Sequence, residues 1–433
     1  MLDQALDLAR RRGAAADALL RDTTTLTLKF ETGRLKETAL AQEAGLNLRV
    51  FVNGRYGVAG ATDLSSADDV VVRAFASAAE GEALEAELPA ATALPEVVTY
   101  DDHAASLDVA ALANLGRALV ERLVRPGWQV NAAIERTVET TRFANSAGQQ
   151  FQGRATAISV SADVNRVAGD DVLMVYDVLA GAGVPDQAAL TALAQSVITR
   201  VERSERIVEP PEGRLPVLFT PEGLSAVLMP VRQALSGKSV VQGISPLGAK
   251  VGETCFDTSF TFTDDPLLPL RLGTRGADDE GVVSARRTLV ERGVVRGFIY
   301  DLETATRAGT RSTGHGHRST FGKPGIMFSN TVIGAGQHDE AALLREVGHG
   351  LVVDELIGVG QGNVTSGAFS HPVALAWRVD GGELTGRVKD AAVAGNAFDL
   401  LKRIKAVGRD VKWLGGSRCV PPIVLDGVSV ARR

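Results

Sequence analysis

The sequence predicts an α+β protein of two domains. An N-terminal α/β domain over 1–207 combines an antiparallel sheet with helices, and a largely β C-terminal domain over 208–433 is built on a twisted or barrel-like sheet. Three observations predict it. The chain has 433 residues, more than one ordinary core accommodates. The segment "RIVEPPEGRLPVLFTPEG" concentrates four prolines and two Pro-Glu-Gly turns, the composition of a boundary. Before it, long apolar-periodic runs alternate with strands; after it, short alternating runs are punctuated by Gly and Asp, as in twisted or barrel-like antiparallel sheets.

Taken in order, residues 2–20 carry Leu and Ala at near-helical spacing, and "DTTTLTLKFETGRLKETAL" alternates like strands. In "AGLNLRVFVNGRYGVAGATDLS" the dipeptide Asn53-Gly54 separates two strand-like runs and accepts the positive φ of a type I′ hairpin. Ser and Asp ahead of "VVVRAFASAA" predict a capped helix. Residues 85–102, with two prolines and little periodicity, read as a surface excursion, and 106–124 as another helix. Strands over 130–164 turn at Asn145-Ser146-Ala147-Gly148, and a helix over 185–205 closes the first half. In the second half, helices are expected at about 221–237 and 338–348 among short strands.

Composition narrows the function. Hydrophobic residues make up 45% and charged residues 23%, the balance of a soluble globular protein. No apolar run approaches the roughly 20 residues that span a bilayer, and the first 20 residues lack a signal peptide's cleavage region, so a cytoplasmic protein without membrane contact is expected. Cys255 and Cys419 are isolated and expected to be reduced. A net charge of −6 without a Lys/Arg block argues against direct nucleic-acid binding.

Two segments carry chemistry. "TRSTGHGHRST" places His315 and His317 two apart, among Arg311, Ser312, Thr313 and Arg318. On a strand both imidazoles would point the same way and could chelate an ion completed by His371 or Cys419. The flanking glycines favour instead a loop whose backbone closely approaches something, either a bound peptide or the fold itself. "GADDEG", with Asp278, Asp279 and Glu280, suits a cation or an N-terminal amine, or equally a capped turn neutralised by Arg286 and Arg287 across a hairpin. "LLREVGHGLVVDE" imitates a zinc helix through Glu346 and His349, but one histidine falls short of the three protein ligands a zinc site needs.

The order of "GLNLRVFVNGRYGVAGATDLS", "RFANSAGQQFQG", "SFTFTDDPLLPLRLGTRGADDEGVVSARRTLVERGVVRGFIYDLETA", "GTRSTGHGHRS" and "SGAFSHPVALAWRVDGGELTGRVKDAAVAGN" resembles the TldD/PmbA family, once called modulators of DNA gyrase. The resemblance implies the same two-domain layout and peptide cleavage by an assembly of two related subunits. In that assembly the TldD-type subunit holds zinc on a helical HExxxH motif with a cysteine near its C-terminus, and the TldE-type subunit lacks the motif. Here the corresponding stretch reads "GLSAVLMPVRQALSGKSVV", and Met229, Pro230, Val231, Arg232, Gln233 and Ala234 can neither ligate zinc nor deprotonate its water. Cys419 lacks the Cys-Gly-Lys context. The chain therefore resembles the TldE/PmbA type, which implies no catalytic residue or metal of its own and a zinc-bearing TldD-type partner. The resemblance places the 310–320 loop, and part of 278–280, beside a peptide substrate. The alternative is a free-standing homodimeric hydrolase or peptide-binding protein with a metal at His315, His317 and His371. Pairing through the C-terminal domain is expected, since "CVPPIVLDGVSV" would otherwise leave an apolar run exposed.

Overall fold

The computed structural model describes residues 1–169, 171–361 and 363–433. Helix α1 (Leu2–Arg11) buries Leu2, Ala5 and Ala9 and then stops, because Gly13 turns the chain at φ +79°. The helix expected over 2–20 is thus half that length, and its second half starts strand β1 (Ala15–Glu31), where every other side chain meets a core. The turn at Thr32-Gly33 leads into β2 (Arg34–Val52), and Asn53-Gly54, at φ +51° and +70°, leads into β3 (Arg55–Ala61).

Helix α2 (Ala67–Ala79) is capped by Ser66, which accepts from the Asp69 N–H. After the short α3 (Asp102–Ser106) and α4 (Val109–Leu123) come β4 (Trp128–Asn145), β5 (Gln150–Ala168), β6 (Asp171–Gly181) and α5 (Gln187–Glu202). The six strands form one antiparallel sheet in the order β3-β2-β1-β4-β5-β6. Period-2 alternation gives it two unlike faces. Leu26, Leu28, Phe30, Ile134 and Val160 pack under α4 and α5, whereas Arg21, Glu139 and Thr141 lie on the face those helices leave open.

In the second half, Gly213–Phe219 pairs with His349–Leu356 on one side and Ile423–Arg432 on the other. The sheet continues through Ala391–Asn396 and Ala368–Asp380, which pairs back onto His349–Leu356 and closes a five-stranded barrel. Val217, Phe219, Val353, Ile423 and Leu425 point inward, where Val227 and Val231 of helix Ser225–Ala234 join their core. Leu218, Val352, Trp377 and Val424 alternate outward into the core beneath α5, so the two halves share one apolar interior. Within the run at 419–430, Ile423–Arg432 is a barrel strand paired on both edges and mostly buried, so this run leaves no open edge as the reason for pairing with another chain.

Helix Glu340–Val347 ends at Gly348, φ +63°, and His349 opens the next strand, bonded through Nδ1 to Asp380. Glu346 and His349 share no helix face, which removes the zinc-helix imitation. No helix of the described residues is long and apolar enough to cross a membrane.

Gly116 of α4 lies against β1, where a Cβ would sit 2.2 Å from the Phe30 ring and 2.8 Å from Ile134. Gly116→Ala should therefore lower the urea midpoint by an equivalent of about 1–3 kcal/mol, because overpacking outweighs alanine's better helix propensity. An unchanged or raised midpoint would show that the contact yields.

Candidate functional site: a cleft between the open sheet face and the C-terminal loops

The loop 310–320 begins after the helix Leu302–Arg307, which Asp301 caps through the Thr304 N–H. Thr313 anchors it by accepting the Tyr300 N–H at 2.6 Å. His315 is 1% exposed, with Nε2 3.0 Å from Asp264 and Nδ1 2.8 Å from the Thr313 hydroxyl. Burial pushes its pKa below the ordinary value against the pull of Asp264, so the neutral ring donates from Nε2 and accepts at Nδ1. Asp264 is wholly buried and also accepts the Ser329 N–H at 2.9 Å.

The acidic turn meets this loop from the other side. Asp278 accepts the N–H groups of Glu280, Val282 and Gly316 at 3.0, 2.9 and 2.7 Å. Burial, with Glu280 beside it, raises its carboxyl to about 7. Glu280 takes Arg49 Nη1 at 2.6 Å and the Leu302 N–H at 2.7 Å. Arg49 also grips Asp17 at 2.5 Å, and Arg318 Nη2 reaches the same carboxylate at 2.7 Å. Burial opposes ionisation of Asp17, but the charges of Arg318 and Arg49 outweigh it and hold the group below the ordinary carboxylate range. All four side chains are 0 to 1% exposed.

These facts correct several expectations. Thr313, His315, Arg318, Asp278 and Glu280 are interior groups bonded to the fold, each 9% exposed or less. The glycines do permit a close approach, but to Glu280: a Cβ at Gly316 would lie 2.5 Å from its side chain. Arg286 pairs with Asp265 and Arg287 donates to the Thr313 carbonyl, so neither neutralises the acidic turn. That role falls to Arg49 and Arg21, which sequence reasoning missed. Ser312 bonds the Tyr300 carbonyl, and Arg311 is exposed without an ion pair among the described residues.

His317 remains accessible, and Asp279, though largely buried, reaches the same cleft wall. They line a cleft of about 610 Å³ between the open sheet face and the C-terminal loops, together with Arg21, Glu139, Arg275 and Phe328. Residues 94–99 run across it, tied to β5 through the Thr156 N–H to Thr99 carbonyl bond and to the C-terminal half through the Leu270 N–H to Val98 bond. His317 Nδ1 lies 3.1 Å from Asp279, Arg21 Nη2 reaches Asp279 at 3.1 Å, and the Arg318 N–H reaches it at 2.8 Å. Burial raises the Asp279 pKa, but the His317 bond and the Arg21 charge outweigh it, and the carboxylate stays ionised at neutral pH. An ionised carboxylate orients the imidazole, whose other nitrogen is free to bond a ligand.

The residues do not fit zinc. Among the described residues, no three His, Cys, Asp or Glu side chains converge as a ligand set. His371 stacks on Phe369 at 6.0 Å, away from the engaged nitrogens of His315, so the His315/His317/His371 set is not assembled. Helix Ser225–Ala234 offers Arg232 instead, its guanidinium 4.3 Å over the Phe328 ring that lines the cleft. Burial, then the nearby Arg418, pushes Arg232 down to about 10, still a cation at neutral pH. Burial raises the Cys419 thiol, so without a metal it stays protonated at neutral pH.

Asp17→Asn would leave two buried guanidinium groups without their shared anion and should cost about 3–5 kcal/mol at neutral pH. Because the folded pKa of Asp17 is depressed, its contribution is full above the ordinary value of 3.8 and disappears as pH falls through the lower folded value. Unfolding curves of parent and variant should converge in that acid window; a gap independent of pH would contradict the assignment.

Comparison with known proteins agrees with this architecture. Residues 212–432 match the PmbA/TldA metallopeptidase C-terminal domain and 16–80 match PmbA/TldA metallopeptidase domain 1. The chain is 24% identical over 412 residues to a metalloprotease of Methanothermobacter thermautotrophicus, covering 92% of this chain and 88% of that one. It is 24% identical over 431 residues to the metalloprotease PmbA of Escherichia coli O157:H7, covering 96% and 92%. In structure it superposes on TldE from Thermococcus kodakarensis with a TM-score of 0.91 over 99% of both chains at 22% identity, which speaks for the fold. With more than half its length matched, the chain belongs to the PmbA/TldD metallopeptidase family.

Proposed function

We propose that this chain is the TldE-type, zinc-lacking subunit of a two-subunit metallopeptidase, and that its cleft holds an unstructured peptide for a TldD-type partner. The observation that supports the reading is the helix Ser225–Ala234, the stretch the family resemblance matches to the zinc helix, which carries Met229, Pro230 and Arg232 instead of ligands and sets Arg232 over the Phe328 ring of the cleft. A metal-bearing partner would supply the Lewis acid and the activated water. This chain's residues supply position: His317, fixed by Asp279, bonds the peptide backbone, and Arg21, fixed by Asp279 and Glu139, keeps that pair in place. The names PmbA and TldE borne by similar proteins support the reading. A free-standing metal hydrolase finds no support, because its ligands do not converge.

The isolated chain should contain no stoichiometric zinc by elemental analysis and cleave no peptide, whereas mixing with a TldD-type subunit should produce activity on unstructured peptides. His317→Ala should lower turnover of the mixture about ten-fold, the scale of a lost charge-assisted hydrogen bond, with assembly and partner zinc unchanged. One tightly held zinc per chain, or cleavage by the chain alone, would refute the subunit role.

A further inference from the structure

The charges lining the cleft do not balance. Arg21 is ion-paired twice, with Asp279 at 3.1 Å and Glu139 at 3.3 Å, although its buried Nε makes no well-directed hydrogen bond. Those two carboxylates are thereby committed, Asp279 also to His317. Arg275 lines the same cleft and makes no ion pair among the described residues. Its Nη2 donates only to the carbonyls of Gly314 and Met327, each at a long 3.3 Å, and its Nε is buried with no partner. The buried Asp278 is close enough to feel the Arg275 charge, but its oxygens are taken by three backbone N–H groups and none bonds the guanidinium. Arg154, at the rim, stacks 3.7 Å over Tyr100 and likewise has no carboxylate. A half-buried guanidinium beside a cavity, with no carboxylate bonded to it, leaves room for an anion there, and its planar fork matches a carboxylate. Phe328, Met327 and Leu272 add apolar wall beside it, suited to a neighbouring hydrophobic residue of an extended chain.

We propose that the cleft selects peptides through a carboxylate docked on Arg275, with an apolar residue next to it. The carboxylate comes from an acidic side chain or from the peptide's own C-terminus. This rests on the peptide-cleft reading above and adds a substrate class to it. Selection, rather than catalysis, is then this subunit's chemical contribution: an uncharged peptide leaves the Arg275 guanidinium without a bonded counter-charge in the cleft, and an acidic one supplies it.

The test is fluorescence anisotropy with the full chain, alone and with a TldD-type subunit, using three labelled peptides of one sequence: Glu with an amidated C-terminus, Gln with a free C-terminus, and Gln with an amidated C-terminus. One of the two carboxylate-bearing peptides should bind about ten-fold more tightly than the fully neutral one, and which one does so identifies the source. Arg275→Gln should abolish the difference, and Arg275→Lys should restore part of it through charge alone, which separates loss of selection from loss of fold. Equal binding of all three peptides overturns the selection while leaving a peptide cleft standing. Binding of none, with the partner present, overturns the peptide reading and this proposal with it.

Discussion

The arrangement depends on one buried ionic contact, the Asp17 carboxylate held between Arg49 and Arg318, with Glu280 on the far side of Arg49. Asp17 and Arg49 stand opposite each other on β1 and β2, while Glu280 and Arg318 come from C-terminal loops. Each charge is removed from water, which costs several kcal/mol per ion unless partners replace the solvent. The geometry that replaces it therefore leaves little freedom: the loops must return to the same sheet positions or strand a charge. Asn47 extends the seam by donating to the Ser319, Thr320 and Gly322 carbonyls.

That constraint decides which groups can meet a ligand. The acidic turn and the histidine loop press against the sheet and use their most polar atoms on it. What remains available lies one residue away from the seam: Asp279 between Asp278 and Glu280, and His317 between Gly316 and Arg318. The acidic turn and the short strand Gly316–His317 set these two side chains on the cleft wall, while Asp278, Glu280 and Arg318 are buried. The same seam holds Arg21 in place, since its Nη1 donates to the Arg318 carbonyl at 2.9 Å. Rigidity of the fold and shape of the cleft thus have one source, which suits a subunit whose task is to position a chain rather than to react with it.

Local chemistry was legible in the sequence wherever it sufficed. Asn53-Gly54 makes its hairpin, Asn145 to Gly148 make theirs, and Ser66 caps α2, because each needs only neighbouring residues. The 2–20 segment misled because Ala and Leu suit a helix and a buried strand alike, and Gly13 alone marks the change. β6 went unplaced, although its alternation of exposed Val172, Met174 and Tyr176 with buried Leu173 and Val175 is visible afterwards. The site was legible only as a list of suspects. His315 and Arg318 look reactive in sequence, and what makes them structural is contact with Asp264 and Asp17, far away along the chain. Arg49 meets Glu280 across 231 positions, a pairing that no spacing rule reaches. Asp279 and His317 were among the suspects, but Arg21, Glu139 and Arg275 were not, since an isolated Arg or Glu on a strand has no local signature.

The account holds that the backbone of residues 313–318 is fastened to the fold, leaving the His317 side chain to the cleft, and native-state hydrogen exchange tests it most directly. The Gly316, Arg318 and Leu302 amides donate to the buried or cleft-side carboxylates of Asp278, Asp279 and Glu280. They should exchange only as slowly as the barrel core, through global opening, and keep that protection when peptide is added. Exchange at the rate of an exposed loop, or protection that develops only with peptide bound, would contradict the account and return the loop to the ligand.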